Sequence, residues 1–199
     1  MSKYYFLSGK HKAQVASAVY EIEDQIAYEL IPLLKGKQSL PFNFKLKRII
    51  EGKSDLIIDD NLDELEEIWL DYLPNSFVWP LMSEKLRFVV QTNLVGNEHI
   101  DWISCKVKSG NEERTYYILR FNNILDVLNM QKTSFVQGTD VIIKPVFSSS
   151  KINRYTIFSL PLSHDLYQIT SGLYLSEKLK KEIEKEKLTG LDFSKVPVV

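Results

Sequence analysis

Residues 100–121 have the sequence IDWISCKVKSGNEERTYYILRF, and this stretch determines the fold class. Apolar side chains alternate with polar ones in residues 100–107 and again in residues 115–121. Such alternation is typical of half-buried β-strands, and the intervening Ser109-Gly110-Asn111-Glu112 is typical of a tight turn. We therefore predict an antiparallel hairpin at this position.

Other short apolar runs predict further strands on both sides of the hairpin. They are residues 4–7, 42–46, 77–79, 141–147, 155–159 and 173–175. Most runs between residues 100 and 158 are close enough in sequence for hairpin connections, which favours antiparallel pairing. We expect an α+β fold that consists mainly of antiparallel sheet with a few helices packed on it.

The tetrapeptide Ser-Glu-Lys-Leu occurs twice, at residues 83–86 and 176–179, and each copy follows one of the apolar runs. A serine that caps the helix N-terminus and a glutamate in the first turn are both typical of helix starts. We predict helices at residues 83–91 and 176–188, with Gly190 at the C-terminal cap position of the second helix.

Residues 11–35 fit two different patterns. Val15, Val19, Ile22 and Ile26 recur at steps of three and four, which favours an amphipathic helix. The apolar side chains from residue 20 to residue 30 also fit an alternating pattern. We prefer the helix, and a strand remains open as the alternative.

Residues 55–71 carry eight acidic side chains and no basic one. Leu62, Leu65 and Trp69 fall at helical spacing within this segment, so we predict an acidic helix with Asp60 or Asn61 as its N-cap. A solvated helix face is the simplest interpretation of the charges. The sequence Asp59-Asp60-Asn61 lacks the glycine and the final glutamate of a calcium loop, so a metal site is the weaker interpretation.

The functional interpretation of the same segment is a docking surface for a basic partner, because complementary charge raises association rates and favours one partner. The six candidate partner-binding residues are Asp59, Asp60, Asp63, Glu64, Glu66 and Glu67. The basic run Lys45-Leu46-Lys47-Arg48 contains too few charges for a nucleic-acid site, and we interpret it as a solvated face.

Catalytic, cofactor and metal motifs are not recognisable in the chain, so we assign no residue to those roles. The three histidines are dispersed, and His164 is the one histidine that an acid, Asp165, directly follows. Glycine-rich phosphate loops and nucleophile elbows are absent from the sequence. The single cysteine, Cys105, lies in a strand pattern, which favours a packed thiol.

The composition is that of an ordinary globular protein, and 199 residues favour one domain over two. The net charge of −1 provides no basic field for nucleic acid. The apolar runs are too short for a signal peptide or a membrane span, and one cysteine rules out an internal disulfide framework. We therefore expect a cytoplasmic protein without a nucleic-acid or membrane partner.

The C-terminal part resembles a known family. The matching segments are Tyr155-Thr156-Ile157-Phe158, then Leu173 to Leu179, then Leu188-Thr189-Gly190-Leu191-Asp192-Phe193. They resemble a bacterial family of immunity proteins of polymorphic-toxin systems, long catalogued as a domain of unknown function, whose members end in a strand, a helix opened by Ser-Glu or Ser-Asp, and a Thr-Gly-Leu-x-Phe tail. Similar matches upstream are Val78-Trp79-Pro80 with the first Ser-Glu-Lys-Leu, and Tyr116-Tyr117-Ile118-Leu119 with Leu125-Asp126 and Lys132-Thr133-Ser134.

The resemblance covers about residues 77–199, whereas residues 8–75 match poorly. It implies a cytoplasmic protein that binds and neutralises a cognate toxin without catalysis, and it offers no catalytic or cofactor residues. We expect residues 1–199 to form a single domain, with a variable part at 1–75 that contains the acidic helix and a family-like core at 76–199. Since the toxin-facing surface varies in such systems, the acidic segment is our candidate for it.

Two alternatives belong to other functional classes. One is a carboxylate-based hydrolase that would combine acids of residues 55–71 with His99 or His164. The other is a ligand-binding or structural module without a toxin partner.

Overall fold

The computed structural model describes residues 3–10, 12–20, 34, 36–52, 56–161, 169–170 and 172–199. Their strands are β1 (Tyr4–Gly9), β2 (Gln14–Val19), β3 (Ser39–Glu51), β4 (Leu56–Asp59), β5 (Tyr72–Leu73), β6 (Leu81–Ser83), β7 (Ile100–Ser109), β8 (Glu112–Phe121), β9 (Ser134–Phe135), β10 (Ile142–Lys144), β11 (Ile157–Ser159), β12 (Leu173–Ser176) and β13 (Leu191–Lys195). Their helices are α1 (Glu84–Asn93), α2 (Ser149–Ile152) and α3 (Glu177–Lys185). The described chain is therefore mostly sheet, as the α+β prediction required.

The predicted hairpin is confirmed and forms the middle of a seven-stranded sheet with the order β2-β3-β7-β8-β6-β5, in which β4 also pairs with β3. Strands β7 and β8 pair antiparallel from Ile100 opposite Phe121 to Ser109 opposite Glu112. Gly110 takes a positive φ of 54° in the connecting turn, which glycine adopts without steric cost.

One pair in this sheet differs from the expected antiparallel arrangement. Strands β3 and β7 run parallel, with Phe44 opposite Val107. Parallel neighbours need a long crossover, and the chain between Glu51 and Ile100 is long enough to supply one. The sheet is therefore mixed, because β3 pairs antiparallel with β2 and β4 on the other parts of its length.

A second sheet of four strands has the order β11-β12-β1-β13. Strand β1 lies in its interior, with Phe6 opposite Tyr174 of β12 on one side and opposite Ser194 of β13 on the other. All three strand pairs of this four-stranded sheet are antiparallel. The first strand of the chain is thus held between two of the last.

Two apolar clusters lie on opposite faces of the seven-stranded sheet. Leu119 and Phe121 of β8 belong to the cluster shared with the four-stranded sheet and the helices. Tyr116 and Ile118 of the same strand belong to the second cluster, which also contains Cys105. Since successive side chains of a strand point to opposite faces, one strand contributes to both clusters.

Both predicted helix starts are confirmed. The Oγ atom of Ser83 accepts a hydrogen bond from the Leu86 amide at 3.2 Å, and that of Ser176 accepts one from the Leu179 amide at 3.3 Å. Leu86 and Leu179 are fully buried in the first cluster. The strand before the first helix is Leu81–Ser83, so the prediction of a strand at residues 77–79 is wrong.

The helix predicted from residue 11 is wrong at its start. Gln14–Val19 forms strand β2, in which Ala16 and Ala18 are fully buried against the second cluster. Pairing with β3 supplies the backbone hydrogen bonds that a helix would otherwise have made locally. Leu34, near the predicted end, is helical, and residues 21–33 and 35 lie outside the described residues.

The acidic helix predicted within residues 55–71 is also wrong. Residues 56–59 form strand β4, and residues 60–71 form turns and bends. Asp59 accepts a hydrogen bond from the Asn61 amide at 3.0 Å, and Asn61 accepts one from the Asp63 amide at 2.8 Å. An N-cap residue also makes such a bond, so these contacts alone do not exclude a helix. The ion pairs of Arg48 on β3 with Asp59 and Glu64 hold the segment against the sheet instead, which explains why the apolar spacing fails to produce a helix.

Gly190 has a role different from the predicted helix cap. Helix α3 ends at Lys185, and the left-handed residue after it is Lys187, with φ 53°. Gly190 has φ 80° and approaches β5 so closely that a Cβ atom would lie 2.4 Å from the Tyr72 carbonyl oxygen. The Tyr72 amide donates to the Thr189 carbonyl at 3.0 Å, and the Lys10 amide donates to the Gly190 carbonyl at 2.9 Å. The backbone at residues 189–190 therefore joins the two sheets.

We expect Gly190→Ala to lower the free energy of unfolding by about 3 kcal/mol or more, because the new methyl group meets backbone atoms that cannot move away. Gly138→Ala is the matched control, since Gly138 has φ 76° and no atom within 4 Å of a Cβ. The control should lose only about 1 kcal/mol, the cost of the left-handed conformation. Denaturant unfolding of the three proteins measures both values, and equal losses would contradict the close-packing explanation.

Candidate functional site

A groove lies where the two sheets meet beside Gly190. Three adjoining hollows of about 420, 220 and 180 Å³ share Lys12 and Val15 in their walls, so together they form one groove. The first hollow is mainly apolar, the second is acidic, and the third is closed by Thr189 and Gly190. The groove is therefore a consequence of how residues 189–190 bring β1 and β5 together.

The largest hollow, which we call the apolar cleft, lies between β1 and the chain that follows β5. It is lined by Phe6, Leu7, Ser8, Gly9, Lys10, Lys12, Val15, Tyr72, Leu73, Pro74, Asn75, Val78 and Trp79. Leu7, Leu73 and Trp79 are buried, so the floor of the cleft is part of the core. Its volume lies within the range of about 300–1,000 Å³ that is usual for binding pockets.

Val78 is strained and exposed at the edge of this cleft. Its φ is 58°, a left-handed conformation that is unusual for a β-branched residue, and its exposed fraction is 66%. Asn75 holds the loop in place: its side-chain oxygen accepts from the Phe77 amide at 3.2 Å and the Trp79 amide at 3.1 Å. Its side-chain nitrogen donates to the Trp79 carbonyl at 2.7 Å. The surrounding contacts thus hold Val78 in a backbone conformation that is unfavourable for valine.

The acidic hollow holds three of the six predicted partner-binding residues, namely Glu64, Glu66 and Glu67. Lys12, Gln14 and Val15 form its opposite side. Asp59, Asp60 and Asp63 do not line it and lie nearer to β3 along the segment. The structure therefore brings only part of the predicted docking surface into the groove.

Several of the predicted acidic residues already have basic partners within the chain. Arg48 contacts Asp59 at 2.5 Å and also forms an ion pair with Glu64. Asp60 lies 3.3 Å from the Lys45 ammonium and 3.6 Å from that of Lys47. These contacts bring the acidic segment and the basic run of β3 together.

Arg48 corrects our interpretation of the basic run as a solvated face. Its exposed fraction is only 6%, because it continues the inward-facing series of Phe44 and Leu46 along β3. A buried guanidinium needs counter-charges, and Asp59 and Glu64 supply them. The two-residue alternation of β3 was a signal in the sequence that Arg48 points inward.

The other predicted acidic residues differ in their contacts. Glu67 accepts a hydrogen bond from the Thr189 hydroxyl at 2.8 Å. Within the described part of the chain, the carboxylates of Asp63 and Glu66 have no hydrogen-bond or ion-pair partner. These two are therefore the freest charges among the six candidates.

The arrangement needed by the hydrolase alternative is not formed by His99. This residue precedes β7, at the end opposite to the one beside Lys45 and the acidic segment. A strand of ten residues spans roughly 30 Å, so His99 is too far away for proton transfer with Asp59 and Asp60, the carboxylates beside Arg48 and Lys45. His164 and Asp165 lie outside the described residues. Among the residues that the structure describes, no group of three or more His, Cys, Asp and Glu side chains is placed to hold a metal ion.

Cys105 lies inside the second cluster, as the packed-thiol interpretation predicted. Burial raises the pKa of its thiol to about 12, so the reactive thiolate is scarce at neutral pH. No helix in the described part of the chain combines the length and apolar character that crossing a membrane requires.

The sequence interpretation missed the apolar cleft. Its walls come from residues 6–10, 12 and 15 and from residues 72–75, 78 and 79, which are brought together only by tertiary structure. The positive φ of Val78 was not predictable from the sequence either, since valine is among the residues least expected at positive φ. The Asn75-Ser76 pair before it is typical of a turn, which was the one available signal.

Comparison with known proteins gives one family. The model described as "Immunity protein family (Imm11)" matches residues 33–198, which are more than four fifths of the chain. The match starts well before Phe77, where the resemblance in the sequence began, and it includes the acidic segment. No curated protein matches the chain.

We expect Asp59 to make folding stability depend on pH. The Asn61 amide and the Arg48 guanidinium hold the pKa of Asp59 below its ordinary value of 3.8. Ionised Asp59 therefore stabilises the fold above its unfolded pKa, and this contribution is lost as the pH falls through the lower folded pKa. Asp59→Asn should lower Tm at about pH 7 and have little effect at about pH 2.

Thermal unfolding across this pH range measures the effect, with Asp63→Asn as the control. Asp63 has no partner for its carboxylate among the described residues, so its substitution should shift Tm equally little at both pH values. A pH-independent difference between wild type and Asp59→Asn would contradict the role given to the Arg48 pair.

We expect Val78→Gly to raise stability by up to about 1 kcal/mol. The left-handed conformation costs a valine roughly 1–2 kcal/mol, and the added flexibility of glycine costs about 0.5–1 kcal/mol. Val95→Gly is the control, because Val95 is similarly exposed at 57% but has no positive φ. The control should lose stability in denaturant unfolding, and a loss at Val78 as well would show that its conformation is not strained.

Proposed function

Since the chain belongs to the Imm11 immunity protein family, we propose that it neutralises a bacterial toxin by binding it, without catalysis. The observation that carries the proposal is the family match over residues 33–198. The position of His99, far from Asp59 and Asp60, argues against the hydrolase arrangement that would use this histidine, and His164 of the other arrangement lies outside the described residues. Neutralisation by binding requires only a surface complementary to the toxin.

We place the acidic segment on that surface, with Asp59, Asp60, Asp63, Glu64, Glu66 and Glu67 facing basic groups of the toxin. The side chains of Asp60 and Glu64 remain exposed by 65% and 68% although they are ion-paired. Among the described residues, Asp59, Asp60 and Glu64 are ion-paired with cations of β3, and the charges of Asp63, Glu66 and Glu67 are not, which leaves a net negative field. Asp63 and Glu66 contribute most of the unneutralised charge, so they should matter most for attracting the toxin.

The position of the family match changes the reason for choosing this segment. The match includes residues 55–71, so the segment does not lie outside the family region as the sequence resemblance suggested. The choice now rests on exposure, charge and proximity to the groove. The proposed site of action is the cytoplasm, where a resident toxin would otherwise act on the producing cell.

We further propose that residues 1–199 act as a single domain with a variable part at 1–75. The interior position of β1 in the four-stranded sheet supports this, as does the presence of β2 to β5 in the seven-stranded sheet. Residues 1–75 also supply Lys10, Lys12 and the acidic hollow. A change of exposed side chains in this part would therefore alter the groove while leaving both sheets in place.

The test is co-expression with the toxin-like protein encoded beside this chain. We expect the wild-type chain to restore growth and to co-purify with that protein. A chain that restores growth by destroying the toxin would leave cleaved or modified toxin, which mass spectrometry detects and which would contradict non-catalytic binding. Absence of both rescue and binding would contradict the proposal as a whole.

We expect Glu66→Lys to weaken toxin binding by about tenfold and mainly by slowing association, because a rim charge acts on the encounter rate. Glu186→Lys is the control: Glu186 is an exposed acid at the end of α3, and its substitution changes the net charge equally. Binding kinetics at low and high salt measure the two effects. Equal effects of the two substitutions would show that only net charge matters.

A further inference from the structure

We propose that the apolar cleft and its two lysines bind a large apolar side chain of the toxin together with a neighbouring carboxylate. This inference rests on the proposed function, since its occupant is the toxin. It adds to that function an anchor point, a chemistry for the toxin segment and the order of its residues.

The first support is the character of the cleft. Its walls are formed by Leu7, Tyr72, Leu73 and Trp79 among others, and its volume is about 420 Å³. An apolar side chain that enters such a hollow leaves water without displacing any packed core residue. Interfaces depend on a few anchors of this kind, which are often aromatic and lie in pockets surrounded by weaker contacts.

The second support is the charge at the edge of the cleft. Lys10 and Lys12 are exposed and line it, and among the described residues their ammonium groups have no acidic partner. Lys45 and Lys47 on β3, by contrast, both lie within ion-pair distance of Asp60. Two unpaired cations beside low-dielectric walls favour an anionic group on whatever occupies the cleft.

The third support is the strain at Val78. Asn75 makes hydrogen bonds on both sides of this residue and thereby holds an exposed valine in the left-handed region. Neither the burial of Val78 nor a contact of its side chain in the described core explains the conformation, because the side chain is 66% exposed. Strain of this kind is found at binding sites, where it presents a side chain in advance of the partner.

The adjoining acidic hollow completes the pattern. Along the groove the character changes from apolar at Trp79, to basic at Lys12, to acidic at Glu64, Glu66 and Glu67. A toxin segment with an apolar residue, then an acidic one, then a basic one matches this order. Exchanging the acidic and the basic residue would place like charges together, so the groove selects the order of these two residues and the register of the segment.

The experiment uses the full-length chain and the toxin identified by growth rescue, and it measures Kd for wild type and matched variants. Val78→Asp and the double variant Lys10→Glu/Lys12→Glu change the cleft. Ile143→Asp and Lys132→Glu/Lys144→Glu are the controls, because Ile143 is 64% exposed and both control lysines are exposed on another part of the surface. Thermal unfolding checks that all four variants are folded.

We expect each cleft variant to weaken binding by about tenfold or more, and each control by less than about threefold. Val78→Gly should weaken binding although it stabilises the chain, which separates an effect on the interface from an effect on folding. A carboxylate-to-amide change in the toxin segment should remove the difference between wild type and the double lysine variant.

The outcomes separate the two proposals. If wild type restores growth and binds the toxin but the cleft variants bind equally well, the cleft proposal is overturned while the immunity function stands. If Ile143→Asp weakens binding and Val78→Asp does not, the β9–β10 hairpin is the interface and the cleft is not. Decanoate is a small-molecule probe that combines an apolar chain with a carboxylate. If decanoate binds wild type, and the double lysine variant loses decanoate binding but keeps toxin binding, the cleft is a small-molecule site and the cleft proposal is overturned. If wild type binds no toxin, both proposals fail.

Discussion

The close approach of Gly190 to Tyr72 is the contact on which the relation between the two sheets depends. The carbonyl groups of Thr189 and Gly190 accept hydrogen bonds from the amides of Tyr72 in β5 and of Lys10 after β1, while the Thr189 amide donates to Asp71 at 2.9 Å. Asp71 in turn accepts from the Ser83 hydroxyl at 2.6 Å, so the same contact reaches the start of α1. A side chain at residue 190 would separate these groups. The groove lies beside this joint, where β1 and β5 come together.

The electrostatics of the acidic segment follow from a buried cation. Because Arg48 points inward on β3, its guanidinium needs carboxylates, and β4 and the turn after it deliver Asp59 and Glu64. The segment is therefore held against the sheet by charges that would otherwise be available to a partner. Trp69 and Tyr116 fix its far end, since the Tyr116 hydroxyl donates to the Leu70 carbonyl at 2.8 Å. Residues 55–71 contain eight acidic side chains, but the number whose charge is left unpaired in the folded chain is smaller.

Local sequence patterns were sufficient for elements whose partners are near in the chain. The alternation in β7 and β8 and the serine caps of α1 and α3 were predicted correctly because each depends on a few consecutive residues. Helical spacing failed in β2 and in the acidic segment, where β3 and Arg48 decided the conformation from a distance. Only part of the site was within reach of the sequence, because the cleft combines separate segments and the conformation of Val78 is imposed by Asn75. The Thr189-Gly190 pair was recognised in the sequence as part of a family motif. Its structural role, the close contact with Tyr72, is visible only in the folded chain.

The position of β1 also sets an order for folding. In the described part of the chain this strand pairs with β12 and β13, which lie at the opposite end of the sequence. The seven-stranded sheet is complete once Phe121 has been synthesised, whereas the four-stranded sheet must wait for Lys195. Pairing over such a separation carries a large entropy cost and is expected to be slow. During synthesis on the ribosome, the backbone groups along both edges of β1 therefore stay unpaired until the last strands emerge, and the hollow closed by Thr189 and Gly190 is completed at the same stage.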